Sequence, residues 1–134
     1  MNTQKLINEL TYGVIGCAIE VHKHLGAGLL ESIYHQCLIE ELKLKNINYL
    51  SELKLPILYK GKELETDFRC DLYVEECLVV ELKSVSEIHP MHEAQLLTYM
   101  KLLKAPKGII INFNCKNNEY ILKNFFSTVR LISF

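Results

Sequence analysis

The chain carries no surplus of charge: 15 Lys and Arg stand against 16 Asp and Glu, a formal net charge of -1 over 134 residues. The molecule as a whole therefore exerts no strong pull on a polyanion, and any hold on nucleic acid must come from a local patch or a partner. Long apolar runs are missing too. "CLVV" at 77–80 and "GIIINF" at 108–113 fall far short of the roughly 20 residues that span a bilayer. The opening "MNTQKLINEL" has no apolar stretch of the signal-peptide kind. These absences point to a soluble, cytoplasmic protein.

The five cysteines, Cys17, Cys37, Cys70, Cys77 and Cys115, are odd in number and include no C-x-x-C pair. That spacing argues against a zinc ribbon and a secreted disulfide framework, leaving open only ligands gathered from distant segments. Buried reduced thiols are the simpler expectation. Linkers, repeats and low-complexity segments are also lacking, so residues 1–134 read as one domain.

What is present is an ordinary globular balance, 49% apolar and 23% charged, in a chain long enough to bury about two-thirds of its unfolded surface. Leu6, Leu10, Val14, Ile15, Ala18, Ile19 and Val21 or His22 recur at steps of three and four, predicting a helix over about 3–24. "LGAG" breaks it, and a second helix is expected over about 29–45, with Leu30, Ile33, Tyr34, Cys37, Leu38, Glu41 and Leu42 on one packed side.

After "KNIN" the period changes to two. "YLSELKLPILY" contains a proline and suits a strand near an edge. "KGKE" is a turn, and strands follow over about 68–74 and 78–83. Residues 91–104 return to helical spacing, 107–113 read as a strand, and "EYILKNFF" as a candidate last one. The fold class is α+β.

"VVELKSV" at 79–85 then poses a problem, because charges in an apolar strand cost stability unless they are paired, solvated or used. Glu81 and Lys83 share a strand face. If Glu75–Cys77 forms a three-residue connection, Val74 pairs with Leu78 and Asp71 lands opposite Glu81 on that same face. A two-residue loop at Glu75 and Glu76 would instead set Asp71 opposite Val80. Two carboxylates held together repel unless a cation lies between them. A hard ion such as Mg²⁺ suits oxygen ligands and keeps waters for chemistry. Lys83 beside it can orient a water or stabilise charge developing on a phosphate. The plainer alternative is a solvated cross-strand pair between Lys83 and Asp71.

Two flanking patterns narrow this. "GLLESIY" reads G-x-x-E-x-x-Y and places Glu31 and Tyr34 on one helical face, while "HEAQLLTYM" sets His92, Gln95 and Tyr99 along another. The order G-x-x-E, D, E-x-K, Q-x-x-x-Y resembles the PD-(D/E)xK nuclease superfamily, in particular its branch with a RecB-like nuclease motif set. Within it, "LGAGLLESIY", "RCDLYVEECLVVELKSV" and "HEAQLLTYM" are most similar to the small GxxExxY proteins, over about residues 14–113.

That resemblance implies a restriction-endonuclease-like core, a mixed central sheet flanked by helices, with a magnesium or manganese site at a bent hairpin. It implies Asp71 and Glu81 as metal ligands, Lys83 as the catalytic lysine, and Glu31 as a further carboxylate toward the metal or its water. Gln95 and Tyr99 would brace the site or touch substrate phosphate, with Tyr34 and His92 beside them. Cys70 stands where the superfamily's nominal pattern has proline, and the clustered cysteines of iron–sulfur relatives are absent, so no cluster is expected. The expected activity is metal-dependent hydrolysis of nucleic acid, DNA favoured. The rival is a catalytically silent nuclease fold that binds nucleic acid or protein, and a homodimer or protein partner suits either.

Other residues read more plainly. His89 and His92 have metal-ligand spacing, but Pro90 makes His89 a cap-region residue. His22 and His24 suit a helix C-terminus. Tyr49, Tyr59 and Tyr120 read as half-buried strand residues rather than base-stacking platforms, and Lys54, Lys60 and Lys62 as protection of a solvated edge.

Overall fold

A computed structural model describes residues 4–115 and the backbone of 130–131. The first helix, α1, runs Gln4–Leu25 and ends where Gly26, at φ 70°, donates its N–H to His22 O. The second, α2, is Glu31–Leu44. Five strands follow: β1 Tyr49–Lys54, β2 Ile57–Tyr59, β3 Lys62–Leu64, β4 Arg69–Val74 and β5 Leu78–Lys83. Helix α3, Pro90–Leu103, leads to β6, Lys107–Asn112, and a short β7 lies at Arg130–Leu131.

The main sheet has the order β1-β4-β5-β6-β7, and only β5 and β6 are parallel, joined by the crossover helix α3. It is a mixed sheet with helices on both faces, the α+β class expected. The strand alternation sorts the core into two layers. Leu72, Val74, Leu78, Val80, Leu82, Ile109 and Ile111 pack under α1 and α2, whereas Cys70, Tyr73, Val79 and Ile110 pack under α3. All five cysteines are free thiols, and four of them are buried.

Three expectations need correction. "YLSELKLPILY" is not one strand: β1 lies at the sheet edge, but Leu55 turns into the α3-side core, Pro56 offers no N–H, and β2 pairs with β3 in a separate two-stranded sheet. Leu30 is 73% exposed and Ile33 is also exposed, because α2 buries only the stripe of Tyr34, Leu38 and Leu42. Leu6 is exposed on α1, whose burial begins at Ile7. The segment "EYILKNFF", with Tyr120, lies outside the described residues.

Candidate active site

The β4–β5 register decides the geometry. Val74 pairs with Leu78, Tyr73 with Val79 and Leu72 with Val80, so Glu75–Cys77 is the three-residue connection, with Glu75 and Glu76 both left-handed at φ about 50°. Continuing that register sets Asp71 across from Glu81, and there the ladder stops. The Asp71 N–H donates to Glu81 Oε1 at 2.8 Å, and the Leu82 N–H donates to Asp71 Oδ2 at 2.8 Å. Each carboxylate thus takes the place of a backbone carbonyl and parts the two strands. On the other side, β1 pairs through Ser51 with Leu72 and through Leu53 with Cys70, but skips Glu52, which sits at φ 49° opposite Asp71.

Glu81 and Lys83 lie on the sheet face covered by α3, since they flank Leu82 of the α1/α2 layer. Asp71 sits where β4 departs from strict alternation, between Cys70 of the α3 layer and Leu72 of the other. Burial raises the pKa of Glu81 to about 8, and the charge of Asp71 adds to the rise; the Asp71 N–H and Lys83 oppose it. Asp71 is raised as well, by burial first, against the Leu82 N–H, His35 and Lys83, with the Glu31 charge adding to the rise. Lys83 is half-buried and in no ion pair among the described residues, so the cross-strand pair with Asp71 is not formed.

The remaining predicted residues surround this pair. Glu31, exposed in the first turn of α2, accepts the Ser84 N–H at 3.3 Å, and Ser84 Oγ donates to Leu29 O at 2.7 Å. These bonds tie the glycine loop to the residue after Lys83. From α3, Tyr99 is buried with its pKa raised, by burial first and then by Glu81 and Asp71, while a side-chain bond from Gln95 opposes the rise. Tyr99 also packs on Phe68, ring centroids 4.7 Å apart. His92 accepts the His89 N–H on Nδ1 at 3.2 Å, closing the cap of α3. Burial first, then the charges of Lys83 and His89, hold its pKa down.

Tyr34 does not face this space. Fully buried, it stacks on Phe113 with centroids 4.4 Å apart, donates to Gly26 O at 2.6 Å and accepts the Leu29 N–H at 3.2 Å. It braces the loop and is out of reach of any substrate. His89 and His92 gather no third ligand, and among the described residues no three His, Cys, Asp or Glu side chains form a metal-holding group.

Two residues near the site were not anticipated. His35, one helical turn after Glu31, bonds Ser51 Oγ through Nε2 at 2.9 Å and lies within electrostatic range of Asp71. Its i, i+4 spacing from Glu31 was the available signal. Asn112 is buried in β6, and its amide donates to Val85 O while accepting the N–H of Val85 and of Asn114. With Phe113 N–H on Lys83 O at 2.8 Å, it fixes the segment leaving Lys83. A polar residue within "GIIINF" raises the same question as Glu81 in its own strand.

An α+β core that opens its central hairpin around two carboxylates, with a lysine two residues beyond the second, defines a class of hydrolase-like folds. The chain belongs to the PD-(D/E)XK nuclease superfamily, whose family model matches residues 8–124. Members of that superfamily generally use divalent metals and act on nucleic acid. No curated protein and no solved structure is significantly similar to the chain. Among the described residues, no helix is long and apolar enough to cross a membrane.

Proposed function

We propose that the protein is a nuclease that hydrolyses phosphodiester bonds with the help of Mg²⁺ or Mn²⁺, DNA being the favoured substrate. The observation that carries this reading is the pair Asp71 and Glu81, set across a parted hairpin with Lys83 on the sheet face of Glu81. The donor set fits a hard divalent ion. Backbone N–H groups fix Oδ2 of Asp71 and Oε1 of Glu81, and burial first, then the charge of Asp71, raises the pKa of Glu81 with no cation between them. With no third close ligand side chain among the described residues, the arrangement matches Mg²⁺, which binds through one or two carboxylates and fills its other positions with water and phosphate oxygens.

Such an ion, when bound, polarises the phosphate and acidifies a water. Asp71 and Glu81 hold it, and Glu31 offers a further carboxylate toward the ion or its water from the α2 side. Lys83 places a positive charge where charge develops on the phosphate and orients the attacking water. Gln95 and Tyr99 brace the carboxylate face, and His92 holds the first turn of α3 beside Lys83. Within the superfamily, Gly28, Glu31 and Tyr34 support membership of the GxxExxY proteins.

The test is incubation of the purified protein with plasmid, single-stranded and branched DNA and RNA in Mg²⁺ or Mn²⁺, beside an EDTA control. Cleavage is expected to need the ion and to fall by at least about 100-fold in Lys83→Ala, the scale of losing one transition-state charge contact. Cleavage of nothing would leave a nuclease fold that only binds, and equal cleavage by the variant would show that the reaction does not belong to the Lys83 site.

A further inference from the structure

The β2–β3 hairpin is a two-stranded sheet separate from the main one. Its root is the site end of the molecule. It leaves the sheet after Lys54 at the end of β1 and returns before Arg69 at the start of β4, two residues ahead of Asp71. Phe68, just before β4, packs on Tyr99, the residue that senses both carboxylates. The hairpin is therefore an arm beside the candidate active site.

The arm's surface is unusual for a ribbon of this size. Two strands alone are marginal in water, yet Tyr59 is 61% exposed, and Leu58 and Leu64 are exposed as well, which corrects the expectation of a half-buried Tyr59. The Lys60 ammonium lies 5.4 Å from the Tyr59 ring centroid, and Lys62 is the cross-strand partner of Tyr59. Lys60 and Gly61 form the turn, both at positive φ. Neither lysine is in an ion pair among the described residues. An exposed aromatic ring thus stands near the tip, with the Lys60 ammonium over it and Lys62 as its cross-strand neighbour.

We propose that this arm holds single-stranded nucleic acid, with an unpaired base stacked on Tyr59 and the flanking phosphates taken by Lys60 and Lys62. Charge decides between single strand and duplex. Binding to intact duplex draws mainly on phosphate neutralisation, but Lys54, Lys60, Lys62 and Arg69 of the arm and its roots stand against Glu63, Glu65 and Asp67. Arg69 is already paired with Asp67 at 3.1 Å, and the chain has a net charge of -1. What the arm offers beyond charge is an exposed aromatic face, and only an unstacked base can use it, at about 1–3 kcal/mol per base. The strand so held is the one presented to Asp71 and Glu81, which rests on the nuclease reading proposed above.

The experiment is fluorescence anisotropy of the full chain with a labelled single strand of about 20 nucleotides and with the matching duplex, Ca²⁺ being the only divalent ion. The single strand is expected to bind at least about tenfold tighter. Tyr59→Ala should weaken single-strand binding by roughly 5- to 100-fold with the salt dependence unchanged, and Tyr59→Phe should restore it. Lys60→Ala and Lys62→Ala should each lower the salt slope by about 0.7. Equal affinity for duplex, or a Tyr59→Ala protein that binds as the parent does, would overturn the assignment. Hydrolysis of a thymidine aryl phosphodiester, a single nucleotide with no neighbouring base for the arm, reads the catalytic proposal separately. Loss of that activity alone would sink the nuclease and leave the arm, and the reverse pattern would sink the arm alone.

Discussion

Glu81 occupies a central strand at 4% exposure and yet carries a carboxyl group, so its proton is linked to folding. Its ordinary value of 4.5 rises to about 8 in the fold, through burial first and Asp71 second. A carboxyl raised in this way stays protonated in the folded protein where the unfolded chain has already ionised. The stability it contributes is complete below about 4.5 and is lost as pH rises through about 8, at up to about 1.4 kcal/mol per pH unit. In EDTA, the urea midpoint should therefore fall between about pH 5 and about pH 8. Glu81→Gln should make that fall shallower without abolishing it, because Asp71 is raised in the same direction. Denaturation at a series of pH values would check this, and parallel slopes for parent and variant would refute the linkage.

At the scale of elements, sequence periodicity was enough to locate α1, β4, β5, α3 and β6 within a residue or two. These segments bury one stripe or alternate faces, and the apolar pattern reports that directly. The opposition of Asp71 and Glu81 could be written only as one of two registers, because the "EEC" turn contains no glycine to mark its left-handed residues, which fall on Glu75 and Glu76. What stayed hidden depends on tertiary partners. The arm separates from β1 because Leu55 is drawn into the core beneath α3, and Asn112 works by bonding Val85, 27 residues away. A second tertiary constraint is testable. A Cβ at Gly108 on β6 would lie 2.6 Å from Met100 Sδ and 2.8 Å from Leu96 Cδ1, so α3 rides directly on that backbone. Both side chains are buried, and Gly108→Ala should cost about 1–3 kcal/mol of stability by overpacking. Because α3 also carries Gln95 and Tyr99, nuclease activity should fall with it. An unchanged denaturation midpoint would show that the layer yields without strain.

For the whole molecule, metal binding and folding should be one equilibrium. Asp71 and Glu81 are ten residues apart in sequence and meet only when the β4–β5 hairpin closes and β6 and α3 bury its face. The unfolded chain has no comparable site, so an ion that binds the pair stabilises only the folded form. At an ion concentration of about 100 times Kd the gain is about 2.7 kcal/mol, which for a domain of this size raises the unfolding temperature by on the order of 10 °C. Mg²⁺ should do this where NaCl of equal ionic strength does not. The rise should grow from about pH 6 to about pH 8, since the ion competes with the protons the paired carboxyls retain. Asp71→Ala should remove most of it. Scanning calorimetry in EDTA, Mg²⁺ and NaCl measures all three effects without a substrate. If the curves with and without Mg²⁺ coincide at every pH, the parted hairpin holds no ion, the raised carboxyls are structural, and the fold is left as a binding module.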